Sequence, residues 1–270
     1  MRADLFLFTH AYVESRQKAQ RLIKEGGVVV DGKKIKKASD EIDEAQEHEV
    51  LVTDNEKYVG RGGIKLEGAL TAFEISPKGM ICADIGASTG GFSDCLLQSG
   101  AKKIYAFDSG SGQLHTKIAN DPRVVSKEGF NARYIKPEDV DGEVDLAVMD
   151  VSFISQTMIL PALTSIVKEN GIIISLIKPQ FEAGRAALGK NGIVKNSNDR
   201  YMAVLRVLDS AESLGLSCKG FIKSSIKGGD GNEEYLIYLV KSPYLVDKIE
   251  WREKIKGVTK EKEVKRNREV

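Results

Sequence analysis

The sequence contains a glycine-rich stretch whose residue types suit the binding of a ligand by the backbone. It covers positions 84–91 and reads Asp-Ile-Gly-Ala-Ser-Thr-Gly-Gly. The apolar run at 80–83 predicts a buried strand before it, and the run at 92–98 predicts a helix after it. A turn between strand and helix offers backbone N–H groups and the positive helix end to a ligand, and glycine permits a close approach. We therefore expect the ligand site at this turn.

The positions of the glycines and of Asp84 in this turn distinguish between the possible nucleotide ligands. It departs from G-x-G-x-x-G, because Asp84 stands before Gly86 and Gly90 adjoins Gly91, and no P-loop motif is present. Asp84 suits an amino group or a cation, and Asp108, about twenty residues later, can hold both hydroxyls of a ribose. This pattern resembles the S-adenosylmethionine-dependent methyltransferase fold and not a NAD-type Rossmann domain. The resemblance implies that S-adenosyl-L-methionine is bound by Asp84, Gly86, Ala87, Ser88, Gly90, Gly91, Phe92, Asp108, Asn131 and Asp150.

For Asn131, together with Glu128, the alternatives are an adenine contact and a surface turn. Ser152, Phe153 and Phe181 could shape a substrate pocket or pack in the fold.

Four charged residues at the ends of separate predicted elements could move a proton. They are Lys65, Asp150, Lys178 and Glu234. The set resembles the Lys-Asp-Lys-Glu set of the FtsJ/RrmJ ribose 2′-O-methyltransferases, which implies a ribose 2′-hydroxyl as methyl acceptor. This hydroxyl is a poor nucleophile, and a lysine can take its proton only if burial or another cation lowers the pKa of the lysine. We expect Lys178, near Lys65, to be this base, with Asp150 and Glu234 orienting the amines. The neighbouring Glu233 leaves open which glutamate is the fourth member.

From position 81 the sequence alternates between predicted strands and helices. Strands are predicted at 81–85, 104–108, 124–125, 144–150, 171–177, 217–225 and 235–240, and helices at 92–98, 113–119, 158–167 and 197–214, with one more helix, at 66–74, before the first of these strands. Such alternation predicts an α/β, Rossmann-like domain with a mostly parallel sheet covered on both faces. Ligands of such sheets bind at the carboxyl ends of the strands, where we expect the glycine turn and the four charged residues to meet.

The first 51 residues are predicted to form a small α+β module with a basic surface. Ser15 predicts the N-cap of a helix over 16–25, and Asp31-Gly32 predicts a tight turn between two strands. Residues 16–37 carry eight basic and two acidic side chains, which suits phosphate neutralisation. The pattern over 13–36 resembles the S4 RNA-binding domain, and a merely solvated charged helix is the alternative. The expected RNA contacts are Arg16, Lys18, Arg21, Lys24, Lys33, Lys34, Lys36 and, beyond the module, Arg61.

The chain to about position 241 resembles one family. The contexts Arg-Gly-Gly-Ile-Lys-Leu at 61–66, Met-Asp-Val-Ser-Phe-Ile-Ser at 149–155 and Lys-Pro-Gln-Phe-Glu at 178–182 are similar to those of the TlyA family, often labelled hemolysin A. This implies 2′-O-methylation of cytidine in ribosomal RNA. We expect an S4-like domain at 1–51, a linker at 52–60, an FtsJ-like methyltransferase domain at 61–242 and a charged tail, weakly helical or disordered, at 243–270. The alternatives are a non-catalytic RNA-binding or ribosome-assembly factor and a membrane-active haemolysin.

Composition bears on cellular location and on metals. No apolar run approaches the ~20 residues that span a bilayer, and the N-terminus is too acidic for a signal peptide. Three scattered cysteines predict reduced thiols, and three unclustered histidines argue against a metal site. We expect a cytoplasmic protein that acts on ribosomal RNA or ribosomal subunits, without membrane or metal. The sequence leaves the modified nucleotide, the target subunit and the oligomeric state open.

Overall fold

The computed structural model describes residues 1–53, 57–229, 231–242 and 248–260, with the backbone alone at 248 and 249. These residues belong to two compact units, Met1–Lys57 and Tyr58 onward. The first unit combines two helices with a three-stranded antiparallel sheet. Its elements are α1 (Ala3–Thr9), α2 (Arg16–Glu25), β1 (Val28–Val30), β2 (Lys33–Lys34) and β3 (Val50–Val52), with strand order β2-β1-β3.

Two local predictions for the first unit are confirmed. Ser15 caps α2, because its hydroxyl accepts a hydrogen bond from the Lys18 N–H at 3.2 Å. Asp31 and Gly32 turn the chain between β1 and β2 with φ angles of 49° and 74°. Apolar side chains from both helices and the sheet form the core, among them Phe6, Leu7, Leu22, Ile23 and Val28.

The second unit is built on a seven-stranded sheet. Its strands are β4 (Ile81–Ile85), β5 (Lys103–Phe107), β6 (Val124–Lys127), β7 (Val144–Met149), β8 (Val167–Ile177), β9 (Leu216–Lys223) and β10 (Tyr235–Lys241). The order is β6-β5-β4-β7-β8-β10-β9. The five strands from β6 to β8 are parallel, and β10 is antiparallel to both of its neighbours. The predicted mostly parallel sheet is confirmed.

Helices cover both faces of this sheet. They are α3 (Gly62–Ala72), α4 (Gly91–Gln98), α5 (Thr116–Ala119), α6 (Leu160–Ile166), α7 (Pro179–Glu182), α8 (Ser197–Ser213) and α9 (Lys248–Lys260). Short 3₁₀ helices lie at Ala132–Tyr134, Pro137–Val140, Gln156–Met158, Arg185–Ala187 and Lys190–Gly192. Neighbouring strand residues point to opposite faces. Ala83 accordingly packs in one buried cluster with α6 and α8, and Cys82 in the other with α3 and α4. The predicted α/β architecture is confirmed.

The C-terminal region differs from the predicted tail. Helix α9 is well formed, and Ile255 and Thr259 are fully buried in it. Trp251, Ile255 and Val258 recur at helical spacing among many charges, and all three join the core cluster that contains α8. The second unit therefore continues beyond position 242. The rest of the predicted tail, at 243–247 and 261–270, lies outside the described residues.

The predicted linker at 52–60 is also shorter in the structure. Val52 is part of β3, and the Thr53 N–H donates to the Gly27 carbonyl at 2.7 Å, so both belong to the first unit. Tyr58 is buried in the core of the second unit. Residues 54–56 lie outside the described part of the chain.

The three cysteines are buried and form no disulfide bond with one another. Cys82, Cys95 and Cys218 are free thiols, and burial raises the pKa of Cys82 and Cys218 to about 12. Such thiols are poor nucleophiles at neutral pH. Of the helices that the structure describes, none combines the length and the apolar character needed to cross a bilayer.

Candidate active site

The glycine-rich turn leaves β4 and folds over the end of β5. The N–H groups of Gly86 and Ala87 donate to the Phe107 carbonyl at 2.8 and 3.0 Å. Gly86 has a φ of 83°, and a Cβ there would lie 2.6 Å from the carbonyl oxygen of Asp150, just after β7. Glycine thus lets two strand ends and a turn approach one another closely at the carboxyl edge of the sheet.

Asp84 lies beneath this turn and is fully buried. The Ser93 hydroxyl donates to Asp84 Oδ2 at 2.7 Å, whereas Oδ1 has no hydrogen-bond partner among the described residues. Burial, assisted by the nearby Asp150 and Asp108 carboxylates, raises the pKa of Asp84 to about 7 against the opposing Ser93 bond. A buried carboxylate oxygen without a donor is costly, so a cationic group of a ligand would complete this site.

Asp108 follows β5 and is anchored by the two neighbouring loops. Its Oδ2 accepts the Ser88 N–H and its Oδ1 accepts the Gly110 N–H, each at 2.7 Å. Each carboxylate oxygen keeps a second lone pair, so Asp108 can still accept bonds from a diol. The residue lines a cavity of about 640 Å³, a size typical of small-molecule sites.

Part of the wall of this cavity is apolar. Phe107 and Phe130 line it, with their rings packed edge to face and their centroids 5.3 Å apart. Asn131 also lines the cavity, but its Oδ1 accepts the Arg133 N–H at 3.1 Å and so caps the following 3₁₀ helix. An aromatic heterocycle fits this lining, with Asn131 as its polar neighbour.

A second cavity of about 190 Å³ adjoins the first and contains the Lys178 side chain in its wall. Asp150 and Ser152 line both cavities. Lys178 comes directly after β8; its Nζ lies 2.7 Å from Asp150 Oδ1 and donates to Ser152 Oγ at 2.8 Å. The Lys178 and Asp150 side chains are only 12% and 18% exposed, so this pair is shielded but reachable from the cavities.

Lys65 and Glu234 form a second, more deeply buried ion pair. Lys65 Nζ, in the first turns of α3, lies 2.5 Å from Glu234 Oε2, and the side chains are 9% and 3% exposed. Glu233 points elsewhere, with its carboxylate 2.8 Å from Lys223 and 3.1 Å from Arg200. The structure therefore places Glu234, and not Glu233, beside Lys65. The four charged residues are thus arranged as two pairs, and Lys65 and Glu234 are not part of the wall of either cavity above.

Phe153 is an exposed aromatic residue beside the two cavities. Its side chain is 91% exposed, its φ is 64°, and it lines the larger cavity. Its ring centroid lies 5.1 Å from that of Phe181. A non-glycine residue in the left-handed region costs about 1–3 kcal/mol and is typical of functional sites, which favours a pocket-shaping role over simple packing.

In the first unit, α2 has a basic side opposite its buried residues. Ala19, Leu22 and Ile23 face the core, and the predicted RNA contacts of α2 occupy the remaining arc. Three of these also pair with acids within the unit: Arg16 with Asp4, Lys18 with Glu14 and Arg21 with Glu25. The others, Lys24, Lys33, Lys34 and Lys36, are exposed. In the second unit, Arg61 donates to the Lys227 carbonyl at 3.0 Å.

Comparisons with known proteins agree with this architecture. Residues 58–241 match the FtsJ-like methyltransferase family, and residues 1–48 match the S4 domain. The chain is 43% identical to the Mycobacterium tuberculosis protein named 16S/23S rRNA (cytidine-2′-O)-methyltransferase TlyA, over 88% of this chain and 89% of the relative. The chain belongs to the TlyA branch of the FtsJ-like methyltransferases.

Two further relatives are also similar over most of this chain. Hemolysin A of Brachyspira hyodysenteriae is 44% identical over 89% of this chain and 100% of its own length. A solved structure of a candidate hemolysin from Streptococcus thermophilus is 41% identical, with a TM-score of 0.76 over 96% of this chain and 94% of that one. Family membership confirms the predicted methyltransferase fold and S4 domain, and with them S-adenosylmethionine as the cofactor.

The residues at the glycine turn fit this cofactor. The Asp84 oxygen that has no donor among the described residues suits its amino group, the anchored Asp108 carboxylate suits its ribose, and the apolar wall at Phe130 suits its adenine. The wall of the two cavities includes most of the predicted cofactor residues, namely Gly86, Ala87, Ser88, Gly91, Phe92, Asp108, Asn131 and Asp150. The other two predicted cofactor residues are not part of these walls. Asp84 lies beneath the turn, and Gly90 packs against Leu114 and Ile118, which a Cβ at position 90 would contact too closely.

Ser93 and Gln113 are missing from the residues predicted for the site, and Ser152 is predicted only as a residue that shapes a pocket or packs in the fold. Ser93 holds Asp84, Gln113 lines the larger cavity, and Ser152 is the hydroxyl partner of Lys178. A hydroxyl in the first turn of the helix after the glycine turn is the signal that identifies Ser93. Gln113 and Ser152 lie in loops, and their contacts depend on tertiary structure. Within the described residues, no three side chains of His, Cys, Asp or Glu converge as a metal site.

Proposed function

We propose that the protein transfers a methyl group from S-adenosylmethionine to the ribose 2′-hydroxyl of a cytidine in ribosomal RNA. The observation that carries the proposal is the contact of Lys178 Nζ with Asp150 Oδ1 and Ser152 Oγ, at 2.7 and 2.8 Å, where the two cavities adjoin. The cytidine and the ribosomal RNA are taken from the names of the relatives in Mycobacterium tuberculosis and Campylobacter jejuni.

Asp84, Asp108 and the close-packed backbone of the glycine turn would hold the cofactor, which, when bound, supplies an electrophilic methyl carbon. The N–H groups of Gly86, Ala87, Ser88 and Gly90 donate within the fold and so shape this backbone instead of binding the cofactor. Lys178 Nζ would take the proton of the 2′-hydroxyl in the proposed reaction, so that the oxygen can act as a nucleophile. Lys178 must first be in its neutral form, because an ammonium group has no lone pair. Asp150 and Ser152 orient the amine, and positioning of this kind contributes much of the rate in a displacement reaction.

Lys65 and Glu234 are proposed to complete the acceptor side of the site. Their pair is deeply buried, so each charge is compensated by the other and Lys65 keeps a fixed orientation. With Lys178 and Asp150, the set contains two basic and two acidic side chains, which limits excess positive charge around the base. Phe153, which is exposed and lines the larger cavity, would contact the substrate.

RNA binding is assigned to the basic side of α2 and to the β1–β2 hairpin. Lysine and arginine at an exposed surface neutralise phosphates without reading bases, which suits a module that positions a folded RNA. Arg61, on the second unit, is assigned to the same substrate. We propose that the protein acts in the cytoplasm, where its ribosomal substrate is located.

The experiment measures transfer of tritiated methyl groups from S-adenosylmethionine into separated ribosomal subunits. Lys178→Met should lower the transfer rate by roughly 10²–10⁴-fold, as expected for loss of a general base, and leave cofactor affinity within a few-fold of the original. Lys168→Met is the matched control. Lys168 lies near the start of β8, whereas Lys178 follows its end, and Lys168 likewise pairs with an acid, Asp145 of β7, at 2.7 Å. This control should keep the original rate.

Each alternative function gives a different outcome. Near-normal turnover of Lys178→Met would remove Lys178 as the base. If the unaltered protein bound ribosomal RNA and transferred no methyl group, the non-catalytic assembly factor would be the better interpretation. Release of contents from lipid vesicles without methyl transfer would favour the membrane-active haemolysin.

A further inference from the structure

The segment before β10 is held in place by polar contacts on both sides of Glu234. Asn232 is 2% exposed; its Oδ1 accepts the Val194 N–H at 3.1 Å and its Nδ2 donates to the Gly192 carbonyl at 3.2 Å. The Glu234 carbonyl accepts the Ser224 N–H at 2.8 Å. The Asn232 side chain and the Glu234 backbone thus hold the segment in place, but these bonds do not fix the direction of the two glutamate side chains.

Arg200, on α8, fixes the direction of the Glu233 side chain. Its Nε lies 3.1 Å from Glu233 Oε2 and 3.1 Å from the Tyr235 hydroxyl, which itself donates to Glu233 Oε2 at 3.2 Å. Lys223 Nζ occupies the other carboxylate oxygen of Glu233 at 2.8 Å. Glu233 is therefore fully engaged on the side of the chain away from Lys65.

The rest of the Arg200 guanidinium donates to two further segments of the fold. Nη1 donates to the Val194 and Lys195 carbonyls at 3.2 and 2.8 Å, and Nη2 donates to the Thr259 carbonyl at 3.4 Å. Arg200 is only 9% exposed, so all of these bonds are shielded from water. The last turn of α9 is thereby connected to the segment that carries Glu234.

We propose that Arg200 is a positioning residue that, by holding Glu233, directs Glu234 toward Lys65. The inference rests on the proposed function of the Lys65–Glu234 pair in methyl transfer. Two adjacent glutamates can both reach for one lysine, and a slip by one residue exchanges the faces of a strand. Occupying Glu233 with Arg200, Lys223 and Tyr235 removes this competitor.

The space around Glu234 is consistent with a single orientation. A Cβ on Gly228 would lie 2.4 Å from Glu234 Oε1, so the loop packs directly against the carboxylate. The pair with Lys65 fills the remaining side. A shift of Glu234 by about 1 Å would separate it from Lys65, and displacements of this size can cost on the order of 10²-fold in rate.

The test combines kinetics with the chemical reactivity of Lys65. The variants are Glu233→Gln, which keeps the size of the side chain, and Arg200→Lys, which keeps its charge. The control is Arg252→Lys, because Arg252 joins α9 to α8 through Asp209 without contacting Glu233. Thermal unfolding and cofactor titration confirm that each variant folds and binds S-adenosylmethionine.

Acylation of Lys65 by a water-soluble succinimidyl ester, mapped by mass spectrometry, needs no catalytic activity. We expect Lys65 to be protected in the unaltered protein and in Arg252→Lys, and to react several-fold faster in Glu233→Gln and Arg200→Lys. Unchanged protection of Lys65 in both variants would overturn the inference. Absence of methyl transfer by the unaltered protein would instead count against the proposed function alone.

A double-mutant cycle in methyl transfer tests the route of the effect. Arg200→Lys should lower kcat roughly ten- to a hundredfold with little change in the KM for RNA. In a Glu234→Gln background the same substitution should have almost no further effect, because the residue it positions is already altered. Independent, multiplicative losses would overturn the assignment of Arg200 as acting through Glu234.

Discussion

Replacement of Asp84 by asparagine should stabilise the fold at neutral pH and weaken cofactor binding. Asp84 is fully buried, its Oδ1 has no donor among the described residues, and its pKa is raised from 3.8 to about 7, chiefly by burial. The folded protein therefore carries a carboxylate that it does not itself compensate. A binding site of this kind is expected to exchange stability for function.

The size and sign of the effect follow from the two pKa values. A difference of about 3 pH units corresponds to about 4 kcal/mol at 1.36 kcal/mol per unit. Between pH 4 and 7 the unfolded chain has lost this proton while the folded chain retains it, so the unfolding free energy falls as pH rises through this window. Above pH 7 Asp84 is ionised in both the folded and the unfolded chain, so its contribution to the unfolding free energy no longer changes with pH. The asparagine side chain of the variant has no such proton.

The unfolding free energy of Asp84→Asn minus that of the original protein should thus rise by about 4 kcal/mol between pH 4 and 8. A constant offset of about 1–3 kcal/mol is expected from amide hydrogens without acceptors. Urea denaturation across this range measures the difference, and calorimetric titration with S-adenosylmethionine should show reduced affinity. A difference that stays flat from pH 4 to 8 would refute the reasoning, because Asp84 would then titrate as it does in the unfolded chain.

Substitutions at three further places have expected outcomes. Gly86→Ala should lower cofactor affinity at least about tenfold in calorimetry, since its Cβ would meet the Asp150 carbonyl at a φ of 83°. Ala11→Gly should slow hydrogen exchange in α1, because Ala11 has a φ of 57° and glycine relieves up to about 1 kcal/mol of strain. Lys65→Met or Glu234→Leu alone should cost about 3–5 kcal/mol in urea denaturation, and the double replacement should recover most of it.

Each of these expectations has a contradicting result. Normal cofactor affinity of Gly86→Ala would mean that the turn does not need to approach Asp150 so closely. Faster exchange in α1 after Ala11→Gly would mean that flexibility, and not strain, dominates there. Additive losses in the double replacement of Lys65 and Glu234 would show that the two side chains are not a mutually compensating pair.

The elements around the site could be predicted because their signals are local. Asp84 and the glycines mark the end of a buried strand, and the Ser15 cap and the Asp31-Gly32 turn depend only on neighbouring residues. Helix α9 is different, since charged residues surround a sparse apolar stripe whose burial depends on the partner face of α8 and β9. Composition alone therefore favours a tail there.

The internal arrangement of the charged residues could not be predicted. Which of Glu233 and Glu234 meets Lys65 depends on the register of β10 against β8 and on the contact of Glu233 with Arg200, 33 positions away in the sequence. The sequence also does not predict that the four charged residues form two ion pairs of different burial. The antiparallel pairing of β10 with β8 sets Tyr235 opposite Ile177, and this brings the segment that carries Glu234 to the carboxyl end of β8.

The central claim is tested most directly by identifying the nucleoside that receives the methyl group. Ribosomal subunits from cells that lack this gene are incubated with the protein and labelled S-adenosylmethionine, and the RNA is digested to nucleosides for mass spectrometry. The proposed function predicts 2′-O-methylcytidine, lost with Lys178→Met and retained with Lys168→Met. A methyl group on a base, or no incorporation into ribosomal RNA, would contradict it.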